Sequence, residues 1–218
     1  MKVKWYGHAS FLITSDQGVK MITDPYEPGG FGGAIGYGPI PDEADIVLVS
    51  HDHADHNYVQ GLKGKPQMVK GTGSHWVKSL EFKGIAAYHD GSKGSERGQN
   101  TIFCFQMDGL RLCHLGDLGH VPTEQEAKQI GPVDILLMPI GGVYTIDPAQ
   151  AAQTAQRLNP RITIPMHYKT PKCGFPLAKV EDFTSGKHAV KVLKTSELEV
   201  RKDTLPQNSE IIVLQPAL

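Results

Sequence analysis

The sequence contains little cysteine and no long hydrophobic run, and both absences limit what this protein can be. Its 218 residues include three cysteines, an odd number without a Cys-x-x-Cys pair, which argues against a disulfide scaffold and a thiolate zinc site. We expect free thiols in a reducing compartment, with packing as the role of Cys104 and Cys113. No apolar run approaches the length of a membrane span, and the N-terminus lacks the apolar core of a signal peptide. We therefore expect a cytoplasmic protein without a membrane partner.

The chain also lacks a strong excess of charge of either sign. Its formal net charge is −1 at pH 7, which provides no overall attraction to nucleic acid or to an anionic membrane. A hydrophobic content of 39 % is ordinary for a globular protein, and the length suits one large domain or a duplicated α/β unit that shares a core. We expect a small-molecule substrate rather than nucleic acid, and the sequence leaves homo-oligomer formation open.

A dense cluster of histidine and aspartate is the most informative stretch that the sequence does contain. Residues 45–50 form a short, β-branched apolar run that predicts a buried strand, and the sequence His-Asp-His-Ala-Asp-His begins where that run stops. In an extended segment His51 and His53 point to the same side, so two imidazoles can bind one cation, while Asp55 and His56 can face a second. Neutral imidazole and ionised carboxylate suit zinc, manganese or iron. The sequence therefore predicts a metal site on this strand-end loop.

Further aspartates and histidines come within two residues of other predicted strands. The strands and the residues that follow them are 19–23 with Asp24, 84–88 with His89, 110–115 with Asp117, and 161–165 with His167. Because α/β proteins place their sites at the carboxyl ends of strands, we expect these residues to belong to the same site. For Asp24 two roles stay open: a turn former, or a residue that orients a metal-bound histidine.

The remaining segments predict strands first and then an alternation of strands and helices. The other predicted strands are 2–6, 10–14, 66–70, 100–106, 134–138, 189–193 and 210–214, and the predicted helices are 123–131, 147–158 and a short one after residue 176. Residues 29–41 form a glycine-rich loop without the Gly-Lys-Ser/Thr of a phosphate-binding loop. It is either an ordinary surface loop or a flap that carries Phe31 and Tyr37 over a site.

The order Asp, His-x-His-x-Asp-His, His, Gly-Asp, His resembles the five-motif signature of the metallo-β-lactamase superfamily. The flanking segments Trp-Tyr-Gly-His-Ala-Ser-Phe, Arg-Gly-Gln-Asn, His-Leu-Gly-Asp-Leu-Gly-His, Pro-Ile-Gly-Gly-Val-Tyr-Thr and Ile-Pro-Met-His-Tyr-Lys-Thr look like the branch of small prokaryotic metal-dependent hydrolases related to ascorbate-6-phosphate lactonase. The resemblance covers almost the whole chain and weakens after about residue 176. It implies an α/β fold, the four-layer αββα sandwich, with one hydrolase domain over residues 1–218 and a dinuclear metal site along one edge.

The resemblance also implies a set of seven metal ligands. The first ion would be held by His51, His53 and His89, the second by Asp55, His56 and His167, and both by Asp117. Two divalent ions per chain are implied, zinc first, with manganese or iron as alternatives. The usual third motif is Gly-His-Thr, whereas this chain has Tyr-His-Asp, so His75 or His114 could compete with His89. If the strand before Asp117 continues in extended form, His114 points to the face opposite Asp117.

The implied activity is hydrolysis of an ester, lactone or phosphoester bond of a small anionic substrate by a hydroxide bridged between the two ions. Asp55 would orient this hydroxide and shuttle its proton. Five further residues are candidates for substrate contact, namely His8, Arg97, Asn100, His120 and Lys169. Structural roles remain open for several of them: His8 as a turn residue, His120 as support for the ligands, and Arg97 with Asn100 as ties that hold their loop.

Three other functions compete with the hydrolysis of a small substrate. A nuclease or phosphodiesterase acting on nucleic acid is disfavoured by the near-neutral charge and by the lack of a nuclease insert domain. A non-catalytic, metal-stabilised binding module is disfavoured by the complete ligand set. A redox enzyme of the di-iron type expects a glutamate at the position that His53 occupies.

Overall fold

The computed structural model describes residues 1–218 and contains fourteen strands and four helices. The strands are β1 (Lys2–Gly7), β2 (Ser10–Thr14), β3 (Lys20–Thr23), β4 (Ile46–Val49), β5 (Gln67–Lys70), β6 (Gly73–Val77), β7 (Leu80–Tyr88), β8 (Gln99–Met107), β9 (Leu110–His114), β10 (Ile135–Pro139), β11 (Ile162–Met166), β12 (Val190–Val192), β13 (Glu197–Glu199) and β14 (Glu210–Val213). The helices are α1 (Gly30–Gly33), α2 (Glu124–Ile130), α3 (Pro148–Leu158) and α4 (Val180–Thr184). None of the helices has the length and apolar character that a membrane crossing requires.

The strands form two mixed sheets. The six-stranded sheet has the order β13-β1-β2-β3-β4-β5, and the eight-stranded sheet has the order β12-β14-β11-β10-β9-β8-β7-β6. In the first sheet β3, β4 and β5 are parallel, and in the second sheet the strands from β12 to β9 are parallel while β8, β7 and β6 alternate in direction. The predicted α/β sandwich of the metallo-β-lactamase fold is therefore confirmed.

The alternation of side chains along the strands explains how the layers pack. Trp5 and Phe11 point into one large hydrophobic cluster that also takes in the inner faces of β8 to β11. Their neighbours Tyr6 and Leu12 point the other way, into a second cluster with Tyr37. The outer face of the six-stranded sheet is consequently covered mainly by loop residues, whereas α2, α3 and α4 pack on the larger cluster.

Capping boxes start two helices, and two short strands form where the sequence predicts none. Thr123 forms a capping box at the start of α2, and Asp147 forms one at the start of α3. The missed strands are β6 and β13, which are edge strands with few apolar residues. Edge strands bury little surface, so the apolar alternation that reveals a strand is weak there.

The strand directions place the candidate site residues along one edge of the sandwich. Because β3 and β4 are parallel, Asp24 and His51 follow the carboxyl ends of neighbouring strands. In the second sheet β7, β9 and β11 run in the same direction, so His89, Asp117 and His167 also emerge at one end. This is the arrangement in which α/β folds build their sites.

Candidate metal centre

Asp117 lies at the centre of the site. Its Oδ2 atom is 3.1 Å from Nε2 of His56, 3.2 Å from Nε2 of His167 and 3.4 Å from Nε2 of His89. The carboxylate is buried, and the three imidazoles approach it from three different strand ends. A single carboxylate oxygen therefore faces three ring nitrogens.

The other predicted ligands complete the cluster around this carboxylate. Nε2 of His51 is 3.0 Å from Nδ1 of His53, and both rings lie within 5.0 Å of the ring of His89, measured between centroids. The potential ligand atoms fall into three overlapping groups in which all atoms lie within 4.8 Å of one another. These groups are His51 with His53 and His89, His51 with His56 and Asp117, and His8 with Asp55, His56 and His167. All seven predicted ligands thus lie together.

The two histidines that competed with His89 lie elsewhere. His75 is on the edge strand β6, where its Nε2 is 3.0 Å from the carbonyl oxygen of Gly71. His114 is buried beneath the cluster, where its Nε2 lies 2.8 Å from Oδ2 of Asp24. The extended backbone up to Asp117 on which the expectation for His114 depended is not present, because β9 ends at His114 and Gly116 turns the chain with φ +54°. Strand alternation does not extend across such a turn.

The donor atoms fit divalent metal ions. Two ligands that each lie 2.0–2.1 Å from a tetrahedral zinc are separated by about 3.3 Å, and the atom separations around Asp117 are 3.1–3.4 Å. Oδ1 of Asp55, Oδ1 of Asp117 and Nε2 of His56 are buried without a hydrogen bond of acceptable geometry. Leaving such groups unpaired is costly, and bound cations would satisfy them.

Asp24 supports the cluster from below. Its carboxylate accepts hydrogen bonds of 2.7 Å from the backbone N–H and from the hydroxyl of Ser50, and it contacts Nδ1 of His56 at 3.1 Å and Nε2 of His114 at 2.8 Å. Burial raises the pKa of Asp24, but His114 and His56 outweigh this effect and hold the pKa below its usual range. The ionised carboxylate keeps the proton of His56 on Nδ1, so Nε2 faces the site. Of the two roles left open, the geometry supports the orienting one.

Two glycines let the Asp117 loop approach the other strand ends. A Cβ atom on Gly116 would lie 2.4 Å from Oδ1 of Asn100, and one on Gly119 would lie 2.2 Å from the backbone nitrogen of Asp90. Asn100 accepts a 3.1 Å hydrogen bond from the N–H of Asp117 and donates one of 2.8 Å to the carbonyl of Leu115. The amide of Asn100 thus holds this loop, and Asn100 does not line the cavity described below, so its contact with substrate stays a prediction.

His8 is also buried behind the ligands and does not line the cavity above the cluster. Its Nε2 lies 3.0 Å from Oδ2 of Asp55. Burial lowers the pKa of His8 most strongly, the neighbouring His167 lowers it further, and the resulting pKa is about 4. His8 is thus neutral at pH 7 and can donate its Nε2 proton to Asp55. Burial raises the pKa of Asp55, but His56 and the hydrogen bond from His8 hold it below the usual range. The geometry supports a role for His8 in positioning Asp55, and its contact with substrate stays a prediction.

Three residues of this site have left-handed backbone conformations, which are uncommon outside glycine. The φ angles are 51° for His8, 37° for Asp24 and 51° for His167. Such conformations persist only where the surrounding contacts over-determine them, and they concentrate at functional sites. The strain is located in the residues that place ligands or support them.

A cavity of about 240 Å³ opens above the cluster. Its polar floor consists of His53, Asp55, His89, Asp117 and His167, and the rest of its lining is Phe31, Arg97, Tyr144 and Phe175. The glycine-rich loop therefore supplies Phe31 to the cavity. Tyr37 does not reach it, because its ring is buried and its hydroxyl lies 2.7 Å from Oγ1 of Thr170.

His120 and Lys169 do not line this cavity, and their contact with substrate stays a prediction. Nε2 of His120 accepts a 3.3 Å hydrogen bond from the N–H of Tyr88. Nζ of Lys169 donates to the carbonyl oxygens of Cys173 and Phe175. Both side chains satisfy backbone groups, which sequence spacing does not reveal.

Comparison with known proteins agrees with this geometry. The family described as the beta-lactamase superfamily domain matches residues 2–167. A metal-dependent hydrolase of Carboxydothermus hydrogenoformans is 31 % identical and covers 92 % of this chain and 100 % of its own length. A metal-dependent hydrolase of Thermococcus kodakarensis is 30 % identical and covers 78 % of this chain and 85 % of its own.

A solved structure from Thermotoga maritima extends the similarity to three dimensions. That protein is described as a candidate zinc-dependent hydrolase of the metallo-beta-lactamase superfamily, and it is 34 % identical to this chain. The two structures align with a TM-score of 0.79 over 98 % of this chain and 97 % of the other. The chain belongs to the metallo-β-lactamase superfamily and is a metal-dependent hydrolase.

Proposed function

We propose that this protein uses two divalent metal ions to hydrolyse an ester, lactone or phosphoester bond of a small anionic molecule. The observation that carries the proposal is the convergence of three imidazole nitrogens on Oδ2 of Asp117, with His51 and His53 beside them. One ion would be held by His51, His53 and His89, the other by Asp55, His56 and His167, and Asp117 would contact both. The histidine-rich donor set favours zinc, with manganese and iron as alternatives.

When bound, the ions supply Lewis acidity, which activates water near neutral pH and polarises the scissile bond. Asp55 has the geometry of the proton carrier, because Oδ2 is held by His8 while Oδ1 has no hydrogen-bond partner and the side chain lines the cavity. His56 and His8 hold the pKa of Asp55 below its usual range against the effect of burial, so the carboxylate is ionised at neutral pH. As water adds to the acyl or phosphoryl centre, the bond to the leaving oxygen breaks, and Asp55 transfers the proton to that oxygen.

The cavity favours a small molecule over a nucleic acid. Arg97 is the single cationic side chain in its lining, and the enclosed volume is about 240 Å³. Binding of a nucleic-acid strand requires a positively charged groove that follows several phosphates. One guanidinium beside a small cavity instead suits a substrate with one anionic group.

The direct test is a hydrolysis screen with defined metal content. Metal-free protein, protein reloaded with zinc and protein reloaded with manganese would be assayed on lactones, carboxylic esters, thioesters and phosphodiesters. We expect turnover only in the loaded forms, loss of turnover on chelation, and recovery when metal is restored. Full metal loading without turnover on any of these classes would instead support a metal-stabilised binding module.

A further inference from the structure

Three aromatic side chains form one wall of the cavity above the site. The ring of Phe175 lies in the middle, with its centroid 5.5 Å from that of Phe31 and 5.5 Å from that of Tyr144. The angles between the ring planes are 69° and 71°, so both neighbours pack in edge-to-face geometry. The rings come from three segments far apart in sequence: the glycine-rich loop, the loop after β10 and the loop after β11. The fold thus assembles a continuous aromatic surface directly beside a polar floor.

Phe31 is exposed to an unusual degree for a large apolar side chain. It is 55 % exposed, although its backbone is held in a left-handed conformation with φ 53°. A phenylalanine that is held in this way at the mouth of a cavity leaves apolar surface in water. An apolar ligand that entered the cavity would cover part of that surface.

Arg97 provides the cationic group of the cavity, and its guanidinium is almost free of other partners. Its Cζ lies 5.6 Å from the centroid of the Tyr144 ring, and its side chain is 34 % exposed. Its polar side-chain contact is with Oε2 of the adjacent Glu96, at 3.5 Å, and Glu96 is 57 % exposed. Ion pairs between such exposed groups contribute little. The planar guanidinium therefore remains available for a carboxylate, sulfonate or phosphate.

The loop that carries Arg97 is held by another residue. The carboxylate of Asp90 accepts four backbone hydrogen bonds, from Ser92, Gly94, Glu96 and Arg97, at 2.8 to 3.0 Å. Asp90 is itself buried, so these bonds fix the loop from inside. The guanidinium of Arg97 makes no bond to the backbone of its loop, and the role of tying the loop down belongs to Asp90.

From these contacts we infer that the cavity recognises a flat apolar ring that carries one anionic group. The ring packs against Phe31, Tyr144 and Phe175, the anion pairs with Arg97, and the scissile bond lies over the polar floor. A volume of 240 Å³ is below the range of about 300 Å³ and more that drug-sized ligands fill, so a monocyclic molecule is the right size. The inference rests on the proposed function because it specifies the substrate class of the same site.

The test uses three probes that cannot be hydrolysed and that separate the ring from the charge. Benzenesulfonate has both features, methyl phenyl sulfone has the ring without the charge, and methanesulfonate has the charge without the ring. Binding to the metal-loaded protein would be measured by titration calorimetry. We expect benzenesulfonate to bind at least about tenfold more tightly than either of the other probes, since it gains both an aromatic contact and a charge-assisted hydrogen bond.

Two variants then separate the contribution of the charge from the contribution of the ring to the binding affinity. Arg97→Gln should weaken benzenesulfonate about tenfold and leave methyl phenyl sulfone unchanged, whereas Phe175→Leu should weaken both ring-bearing probes about fivefold. Lys93→Gln is the matched control, because Lys93 is a cation on the same loop that does not line the cavity. Equal benzenesulfonate affinity in wild type, Arg97→Gln and Phe175→Leu, with melting temperatures unchanged, would overturn the inference.

A parallel hydrolysis assay separates this inference from the proposed function. The substrates are 4-acetoxybenzoate, phenyl acetate and acetoxyacetate, which differ in the same two features. Equal turnover of the three by the metal-loaded protein would overturn the ring-and-anion recognition and leave the hydrolase function intact. Absence of turnover on every ester class, together with benzenesulfonate binding that depends on Arg97 and Phe175, would overturn the proposed function and leave the recognition.

Discussion

Nε2 of His8 lies 3.0 Å from Oδ2 of Asp55, and this contact joins the first turn of the chain to the histidine cluster. The other oxygen of Asp55, Oδ1, is buried without a hydrogen-bond partner, and the side chain lines the cavity. The geometry makes His8 a positioning residue: it does not line the cavity, but it determines where the carboxylate of Asp55 points.

Replacement of His8 should therefore impair turnover without changing substrate binding. We expect His8→Leu to lower kcat by about 10- to 100-fold, with KM little changed, as is typical when a partner of a metal-binding residue is lost. His8→Gln should recover part of kcat, because its amide can still donate to Asp55. His8 has a left-handed backbone with φ 51°, and leucine and glutamine would both have to adopt it, so the difference between the two variants isolates the hydrogen bond. Equal kcat values for the leucine and glutamine variants would contradict the positioning role.

Asp55→Asn should remove the proton carrier while the fold survives. We expect kcat to fall by at least about 100-fold, because general acid–base catalysis alone contributes a factor of this size. Steady-state kinetics and a melting curve would be recorded on the same preparation. His188→Ala is the control, since His188 is an exposed histidine far from the cavity lining, and it should match wild type. Wild-type kcat in Asp55→Asn would exclude this role.

Replacement of His114, which is buried beneath His56 and contacts it through Asp24, should weaken metal binding although His114 is not a candidate ligand. His114 contacts Asp24 at 2.8 Å, and Asp24 in turn contacts His56. We expect His114→Leu to raise the metal Kd by about 10- to 100-fold, measured by competition with a chromophoric chelator. His75→Leu serves as the control, because His75 bonds only to the carbonyl of Gly71 outside the site. The idea fails if both variants bind metal like wild type.

Asp134 gives a prediction about acid stability away from the site. Burial raises the pKa of Asp134, but Arg111 and Lys202 outweigh this effect and lower it to about 2. The folded-state pKa is thus below the unfolded value of about 3.9, so the stabilisation is complete above that value and is lost as the pH falls towards 2. Asp134→Asn should lower the free energy of unfolding by about 1–3 kcal/mol at pH 7 and by less at pH 3. Urea titrations at both pH values test this, and an equal loss at both would rule out the ionic contribution.

The positions of the candidate ligands could be predicted because strand ends meet at one edge of the sandwich. Each of Asp24, His51, His89, Asp117 and His167 follows a strand, and the structure brings these strand ends together. That inference needs only the apolar runs and the residue that follows each of them.

The surroundings of the site could not be predicted in the same way. Asn100 and Lys169 were expected to contact substrate, yet their polar atoms bond to backbone groups whose positions depend on how the loops fold. Tyr144 and Phe175 were missed as cavity residues, because their rings meet only after two loops from different strands have packed together. Tertiary contacts between loops leave no periodic signal in the sequence.

We propose that the cluster around Asp117 binds two ions that act together. The most direct measurement is elemental analysis of protein that has been stripped, reloaded with increasing zinc and dialysed, with turnover recorded at each step. The seven candidate ligands, Asp117 included, are more than one tetrahedral ion can use. We predict a plateau near two ions per chain, with full turnover reached only at that plateau. A stable maximum of one ion per chain, with full turnover, would contradict it.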